Sequence, residues 1–196
     1  MSNSIYQFKI ELKDTDPLIW RRIAVPDTYT FWDLHVAIQD AMGWADCHLH
    51  NFKVLDAVEN KIITIGIPDE EFEEELPVVP GWEAPITNFL TEEGEIVEYV
   101  YDFGDDWEHK ILLESILPAV QGKKYPLCLG GERNCPPEDS GGVPGYDYLL
   151  EVLADPKHEE YEAMTDWLGG DLDPDYFDCS DVKFENPKKR LKKILR

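Results

Sequence analysis

Apolar and polar residues alternate from the start of the chain. Tyr6, Phe8, Ile10 and Leu12 fall on one side and Gln7, Lys9, Glu11 and Lys13 on the other. A period of two places these sets on opposite faces of a strand over 5–13, one buried and one wet. Asp14 to Pro17 is turn chemistry, and the apolar run 18–25 is the returning strand. The period then lengthens. Thr30 followed by Asp33 has the form of a capping box, and Phe31, Leu34, Ile38 and Met42 share one face of a helix over 31–42 that Gly43 ends. Alternation returns over 48–55 and 61–67, joined by a turn at 56–60, and a helical turn is expected over 86–90. It returns again around Gly104: Val97, Tyr99, Tyr101 and Phe103 share one face, and Trp107, His109, Ile111 and Leu113 share one on the way back. Tyr146, Leu149, Leu150 and Leu153 then mark one amphipathic helix, Tyr161, Met164, Trp167 and Leu168 a second, and Asn186-Pro187 opens a short basic third. These elements predict an α+β fold. Hairpins at 5–25, 48–67 and 96–117 make a mainly antiparallel sheet of about six strands, packed with the central helix and the C-terminal helices.

The hairpin at 99–109 is the densest stretch. Pairing Phe103 with Trp107 across Gly104-Asp105-Asp106 sets Tyr101 opposite His109 and Asp102 opposite Glu108. In that register Asp102 and His109 face opposite sides and cannot ligate one ion, and the hairpin is a structural spine with a functional tip.

Composition narrows the functional classes. A content of 43% hydrophobic and 12% aromatic residues is too rich for a disordered chain, and 196 residues suffice for one substantial core. A single domain over 1–196 is expected, with an acidic loop at 68–86 and a basic tail at 187–196. Net charge is −23, yet six of the 18 basic residues lie in the last nine positions, so the body to Pro187 carries −29. Such a surface repels phosphate backbones and disfavours sequence-independent nucleic-acid binding by the body, leaving the basic tail as the one segment suited to that contact. The amino terminus has no basic stretch followed by an apolar one, and no apolar run approaches a membrane span; a cytoplasmic protein without membrane association is expected. Cys47, Cys128, Cys135 and Cys179 then read as reduced thiols or metal ligands rather than as disulfides.

On a strand over 48–55, His48 and His50 point to the same side and can chelate a divalent metal ion if a further ligand arrives; the alternative is a hydrogen-bonded polar edge. No other cofactor is indicated. Six residues separate Cys128 from Cys135, wider than the spacing of a zinc knuckle. The segment 118–142 is long and rich in Gly, Pro and Cys, as functional loops often are. Candidates for a binding face are Trp20, Arg21 and Arg22 on the second strand, Tyr101, Asp102, Asp105, Trp107 and His109 on the hairpin, and Glu138 and Asp139 on the loop. The charged members have structural alternatives: the arginines neutralise carboxylates, the hairpin-tip acids cap turn amides, and Glu138 and Asp139 cap the helix near Tyr146. Two functions stay open. One is a non-enzymatic binding or accessory domain. The other is a metal-dependent hydrolase using His48, His50, Asp102, Asp105, His109 and Glu138, in which a bound ion lowers the pKa of water. The lack of a complete catalytic constellation favours the first. Asp102-Phe103-Gly104 has no accompanying kinase motif, and Asp171, Asp173 and Asp175 lack the glycine and glutamate of a calcium loop. No motif specifies a substrate or partner.

Taken in order, Pro17-Leu-Ile-Trp-Arg-Arg, Asp33-Leu-His35, Met42-Gly-Trp44, His48-Leu-His-Asn-Phe52, Tyr101-Asp-Phe-Gly-Asp-Asp-Trp107 with His109, Cys135-Pro-Pro-Glu-Asp139 with Gly141-Gly142, Gly145-Tyr146 and Trp167-Leu-Gly-Gly resemble the plasmid ORF-three-like family, first named from a root-inducing plasmid. The resemblance runs from about Tyr6 to Phe177. It implies a compact α+β domain of bacteria and archaea, carried on plasmids and as a passenger of insertion elements. Many members carry a third cysteine or another residue where this chain has Ser140, and the acidic 68–86 segment resembles a variable insertion.

Overall fold

The alternating segments pair into one sheet in the computed structural model, which describes residues 4–56, 59–68 and 78–195. Its strands are β1 (Ser4–Leu12), β2 (Trp20–Pro26), β3 (His50–Asp56), β4 (Lys61–Gly66), β5 (Val79–Pro80), β6 (Ile96–Tyr101), β7 (Trp107–Pro118) and β8 (Leu127–Glu132), in the spatial order β5-β4-β3-β6-β7-β1-β2-β8. Only β4 and β5 pair in parallel. The helices are α1 (Phe31–Met42), α2 (Gly142–Ala154), α3 (Tyr161–Leu168) and α4 (Pro187–Ile194). The α+β class therefore stands, with eight strands in place of about six. The two extra strands lie in segments expected to be loops: β5 follows the acidic run, and β8 sits within 118–142. Most of the acidic run, at 69–77, lies outside the described residues, as do 57–58 in the turn before β4.

Local chemistry accounts for α1. Thr30 Oγ1 accepts from the Asp33 amide (3.2 Å) while Asp33 Oδ2 accepts from the Thr30 amide (3.0 Å), and Gly43 ends the helix in the left-handed region at φ 100°. The helix lies on the core face of the sheet, where Phe31 meets the rings of Phe52 and Phe89 edge-on (5.1 and 5.7 Å). Its Trp32 is buried as well, and the indole Nε1 donates to the Pro187 carbonyl at the start of α4 (3.0 Å). The opposite sheet face is a ladder of charge pairs. Arg22 grips Glu114 with Nε (2.6 Å) and Nη2 (2.8 Å), and Lys13 meets Glu108 (2.7 Å). Partly exposed pairs of this kind contribute at most about 1 kcal/mol each, so they select the wet face more than they stabilise it.

The central hairpin pairs two residues earlier than expected. Tyr101 lies opposite Trp107, Val100 opposite Glu108 and Tyr99 opposite His109. An even shift preserves the faces, so Val97, Tyr99, Tyr101, Trp107, His109, Ile111 and Leu113 are all buried. Phe103 is the exception: it sits in the turn and is exposed. The turn is longer because Asp102 and Asp106 both adopt left-handed conformations (φ 57° and 56°), which aspartate tolerates better than most residues. The Asp106 amide closes the turn on the Asp102 carbonyl (2.6 Å), and Asp102 Oδ1 accepts from the Gly104 amide (2.9 Å).

Candidate functional site

Residues 44–49 cross one end of the sheet between α1 and β3, and each is tied to a different element. Trp44 is buried against Tyr101 (ring centroids 5.0 Å apart) and donates from Nε1 to the Pro136 carbonyl (3.0 Å). The Ala45 amide donates to Glu138 Oε1 (2.7 Å), and Asp46 meets His35 Nε2 (2.8 Å). The Cys47 amide donates to the Tyr101 hydroxyl (3.0 Å). This strap holds His48 in a bend just outside β3.

That placement undoes the expected His48–His50 chelate. Side chains alternate with period two only within a strand, and β3 begins at His50. His50 enters the core, where its ring stacks on His35 at 3.4 Å and 5°. Neither ring nitrogen of His50 has a hydrogen-bond partner among the described residues. Burial first, and then the neighbouring His35, hold its pKa well below the ordinary 6.5, so the ring is neutral at neutral pH.

His48 instead faces three carboxylates. Its Nε2 lies 3.2 Å from Asp139 Oδ1, 3.5 Å from Asp102 Oδ2 and 4.0 Å from Glu138 Oε2. Ligating atoms of His48, Asp102 and Asp139 all lie within 4.8 Å of one another. Two of the acids are held from behind. Asp102, with its side chain 10% exposed, spends Oδ1 on the Gly104 amide. Glu138 accepts from the Ala45 amide and from the Tyr101 hydroxyl (3.1 Å). Asp139 is exposed. Glu138 and Asp139 therefore do not cap the helix near Tyr146, as the capping alternative had it: the residue before α2 is Gly141, with no side-chain cap.

The same end of the sheet carries a groove of about 400 Å³ lined by Lys13, Asp14, Asp105, Asp106, Glu108, Val143, Pro144 and Asp147. Its two walls, the hairpin tip and the start of α2, are welded by backbone. Asp105 Oδ2 accepts from the Gly141 amide (3.0 Å), and Gly142, at φ 68°, lies so close that a Cβ there would stand 2.4 Å from the Asp105 carbonyl oxygen. A Cβ at Gly145 would meet the Ser140 carbonyl at 2.0 Å. Gly141-Gly142 and Gly145 are thus requirements of this closure.

The remaining candidates lie elsewhere. Tyr101, Trp107 and His109 are buried. His109 Nδ1 contacts the Trp107 carbonyl (2.9 Å), its Nε2 has no partner among the described residues, and burial lowers its pKa to about 4. Arg21, expected to neutralise a carboxylate, is buried and donates to backbone carbonyls instead: Nε to Ala41, Nη1 to Trp20 and Glu132, each at 2.9 Å. Phe177 covers its guanidinium at 3.9 Å. Trp20 and Arg22 lie on the wet face, with Arg22 engaged by Glu114. The six-residue hydrolase constellation is consequently not assembled. His50 and His109 are enclosed in the core and Asp105 turns to Gly141, leaving His48, Asp102 and Glu138 together. The four cysteines are free thiols; burial pushes Cys128 up to about 12 and Cys135 up as well. Sequence reasoning passed over Ala45 and Asp46. Their roles rest on a main-chain amide and on a left-handed turn at Asp46 (φ 59°), neither of which leaves a periodic trace.

A family model described as plasmid pRiA4b ORF-3-like protein matches residues 4–181. The chain belongs to this family. Among plasmid pRiA4b ORF-3-like proteins and their relatives, it is 37% identical over 170 residues to the uncharacterized protein y4hQ of Sinorhizobium fredii, covering 86% of this chain and 83% of that one. The crystal structure of the protein of unknown function MM3350 from Methanosarcina mazei Go1 matches with a TM-score of 0.87 and 46% identity, over 94% of this chain and 100% of the other. The ORF-3-like resemblance carried by the motifs is thereby shown. Among the described residues no helix is long and apolar enough to cross a membrane.

Proposed function

We propose that this ORF-3-like chain is a non-enzymatic binding domain whose recognition face is the end of the sheet built from the 99–109 hairpin and the loop leading to α2, and that the face takes a basic peptide segment. One observation carries the reading. The groove between hairpin and α2 is lined by five carboxylates, Asp14, Asp105, Asp106, Glu108 and Asp147, with apolar Val143 and Pro144 on the α2 wall. Its single cation, Lys13, is committed to Glu108 (2.7 Å) and Glu98 (3.6 Å). A net excess of negative charge, five carboxylates against one lysine, beside apolar surface fits a lysine- or arginine-bearing segment whose aliphatic stems lie along Val143 and Pro144. The plasmid in the family's name suits an accessory role alongside mobile DNA, exerted through protein partners, because the acidic body repels phosphate.

Fluorescence anisotropy with a labelled lysine- and arginine-rich peptide tests this against a glutamate-rich peptide of equal length. The basic peptide should bind, weaken with added salt, and lose about tenfold in affinity in the double variant Asp105→Asn, Asp147→Asn. Equal binding of both peptides, or no response to the double variant, would count against the proposal.

A further inference from the structure

The geometry points to a second site beside the groove: a divalent transition-metal ion held by His48 Nε2, Asp102 Oδ2 and Asp139 Oδ1, with Glu138 standing behind them at 4.0 Å from Nε2. This site goes beyond the peptide-binding reading and does not depend on it.

The argument starts from spacing. Two atoms each about 2.1 Å from one ion stand about 3.0 Å apart at an octahedral angle and about 3.4 Å apart at a tetrahedral one. The separations from His48 Nε2 are 3.2 Å to Asp139 and 3.5 Å to Asp102. No hydrogen bond accounts for this closeness, so what joins the ring to the carboxylates is a cation, either a proton on the imidazole, which makes these contacts ion pairs, or a metal ion in its place. Nε2 is sealed from solvent and makes no hydrogen bond to any described residue, although three carboxylates surround it. An imidazole nitrogen without a hydrogen bond, directed among carboxylate oxygens, is an arrangement a metal ion can complete, and a site that merely ion-pairs would show no saturable metal binding in the titration below.

Orientation supplies an independent argument. The Asp102 side chain is nine-tenths buried; one oxygen is satisfied by the Gly104 amide and the other is turned to His48. Glu138 is fixed by the Ala45 amide and the Tyr101 hydroxyl, and that hydroxyl is itself fixed by the Cys47 amide. Metal sites are built this way, each ligand positioned by a further hydrogen bond. The exposed Asp139 is the member free to close over an arriving ion. One nitrogen with two carboxylate oxygens suits manganese, iron(II) or zinc; calcium prefers oxygen ligands alone and magnesium retains its waters.

The full-length protein, stripped with chelator and dialysed, is titrated calorimetrically with Mn²⁺, Zn²⁺ and Mg²⁺ separately. The expected result is one saturable site for Mn²⁺ and Zn²⁺, with at least about tenfold preference over Mg²⁺. His48→Ala and Asp139→Asn should each weaken it by about tenfold or more, while Glu151→Gln on the outer side of α2 leaves it unchanged. Asp139 is exposed, so its variant stays informative even if changes at buried Asp102 impair folding. Absence of saturable Mn²⁺ or Zn²⁺ binding at millimolar concentration would overturn the site. So would binding that is indifferent to both His48→Ala and Asp139→Asn, or equal affinity for Mg²⁺.

Discussion

Single residues decide how this protein responds to acid. His109 is fully enclosed by Tyr99, Trp44 and its own strand, and its pKa falls from 6.5 to about 4 because burial penalises the charged ring. His35 is lowered for the same first reason, although Asp46 opposes the shift. Above pH 6.5 the ring is neutral in both native and unfolded chains and contributes no pH dependence. As pH falls from 6.5 towards 4 the unfolded chain takes up a proton that the native chain refuses, so stability is lost through that window, by about 3 kcal/mol for His109 alone. Denaturant midpoints measured between pH 7.5 and 4.5 should fall, and His109→Gln should flatten the decline. The carboxylates with lowered pKa, Glu11, Glu108 and Glu114, act further down: their stabilisation is present above the ordinary carboxylate range and is lost as pH drops through it. The two effects therefore separate on the pH axis.

At the scale of elements, the glycine that ends α1 and the one that opens α2 set a contrast between two substitutions. Gly43 and Gly142 both have positive φ, but a Cβ at Gly43 meets nothing within 4 Å, whereas one at Gly142 stands 2.4 Å from the Asp105 carbonyl oxygen. Gly43→Ala should cost only the left-handed penalty, about 1 kcal/mol. Gly142→Ala should cost clearly more and lower the melting temperature further, because the weld between hairpin and loop has to open. The same elements show how far a sequence can be read. Alternation in Tyr6 to Lys13 and in Val97 to Leu113 identified strands and faces, because one side of each is buried, and the Thr30–Asp33 pair located α1 because capping is local chemistry. β8 escaped because Leu127–Glu132 carries two glycines and takes its order from pairing with β2, a long-range contact. The hairpin register slipped because two aspartates, rather than glycine, supplied the left-handed turn positions. His48 was legible as a chemical group but not in its surroundings. The carboxylates that face it arrive from positions 102, 138 and 139, and only the folded strap at 44–49 brings them together.

For the molecule as a whole, the decisive asymmetry is a strongly acidic body with a basic end, and the structure turns one residue of that end, Arg190, inward while its lysines stay exposed. α4 lies on α1, where Arg190 reaches Asp40 (2.7 Å), Asp46 (3.4 Å) and Glu185 (3.1 Å). Asp40 and Asp46 are each 6% exposed, so removing the guanidinium leaves two enclosed carboxylates without their cation. Breaking such a pair costs far more than losing a surface ion pair; with Arg190 at 13% exposure, about 2 to 3 kcal/mol is expected. Trp32 adds an optical reporter, since its indole donates to the Pro187 carbonyl beneath α4. Two measurements follow from this geometry. Arg190→Ala should lower the melting temperature, and deletion of 187–196 should lower it further while shifting tryptophan emission to the red as Trp32 meets water. Because the pairing is largely shielded from solvent, 0.5 M salt should weaken it much less than it weakens peptide binding in the open groove. A tail that served only to contact nucleic acid would show the reverse pattern: an unchanged melting temperature on deletion, an unshifted emission spectrum, and a salt-sensitive loss of DNA binding. The Arg190 contacts favour the first outcome, in which the basic end acts as a clamp on the buried face of α1 and its four lysines, Lys188, Lys189, Lys192 and Lys193, offset part of the body's negative field.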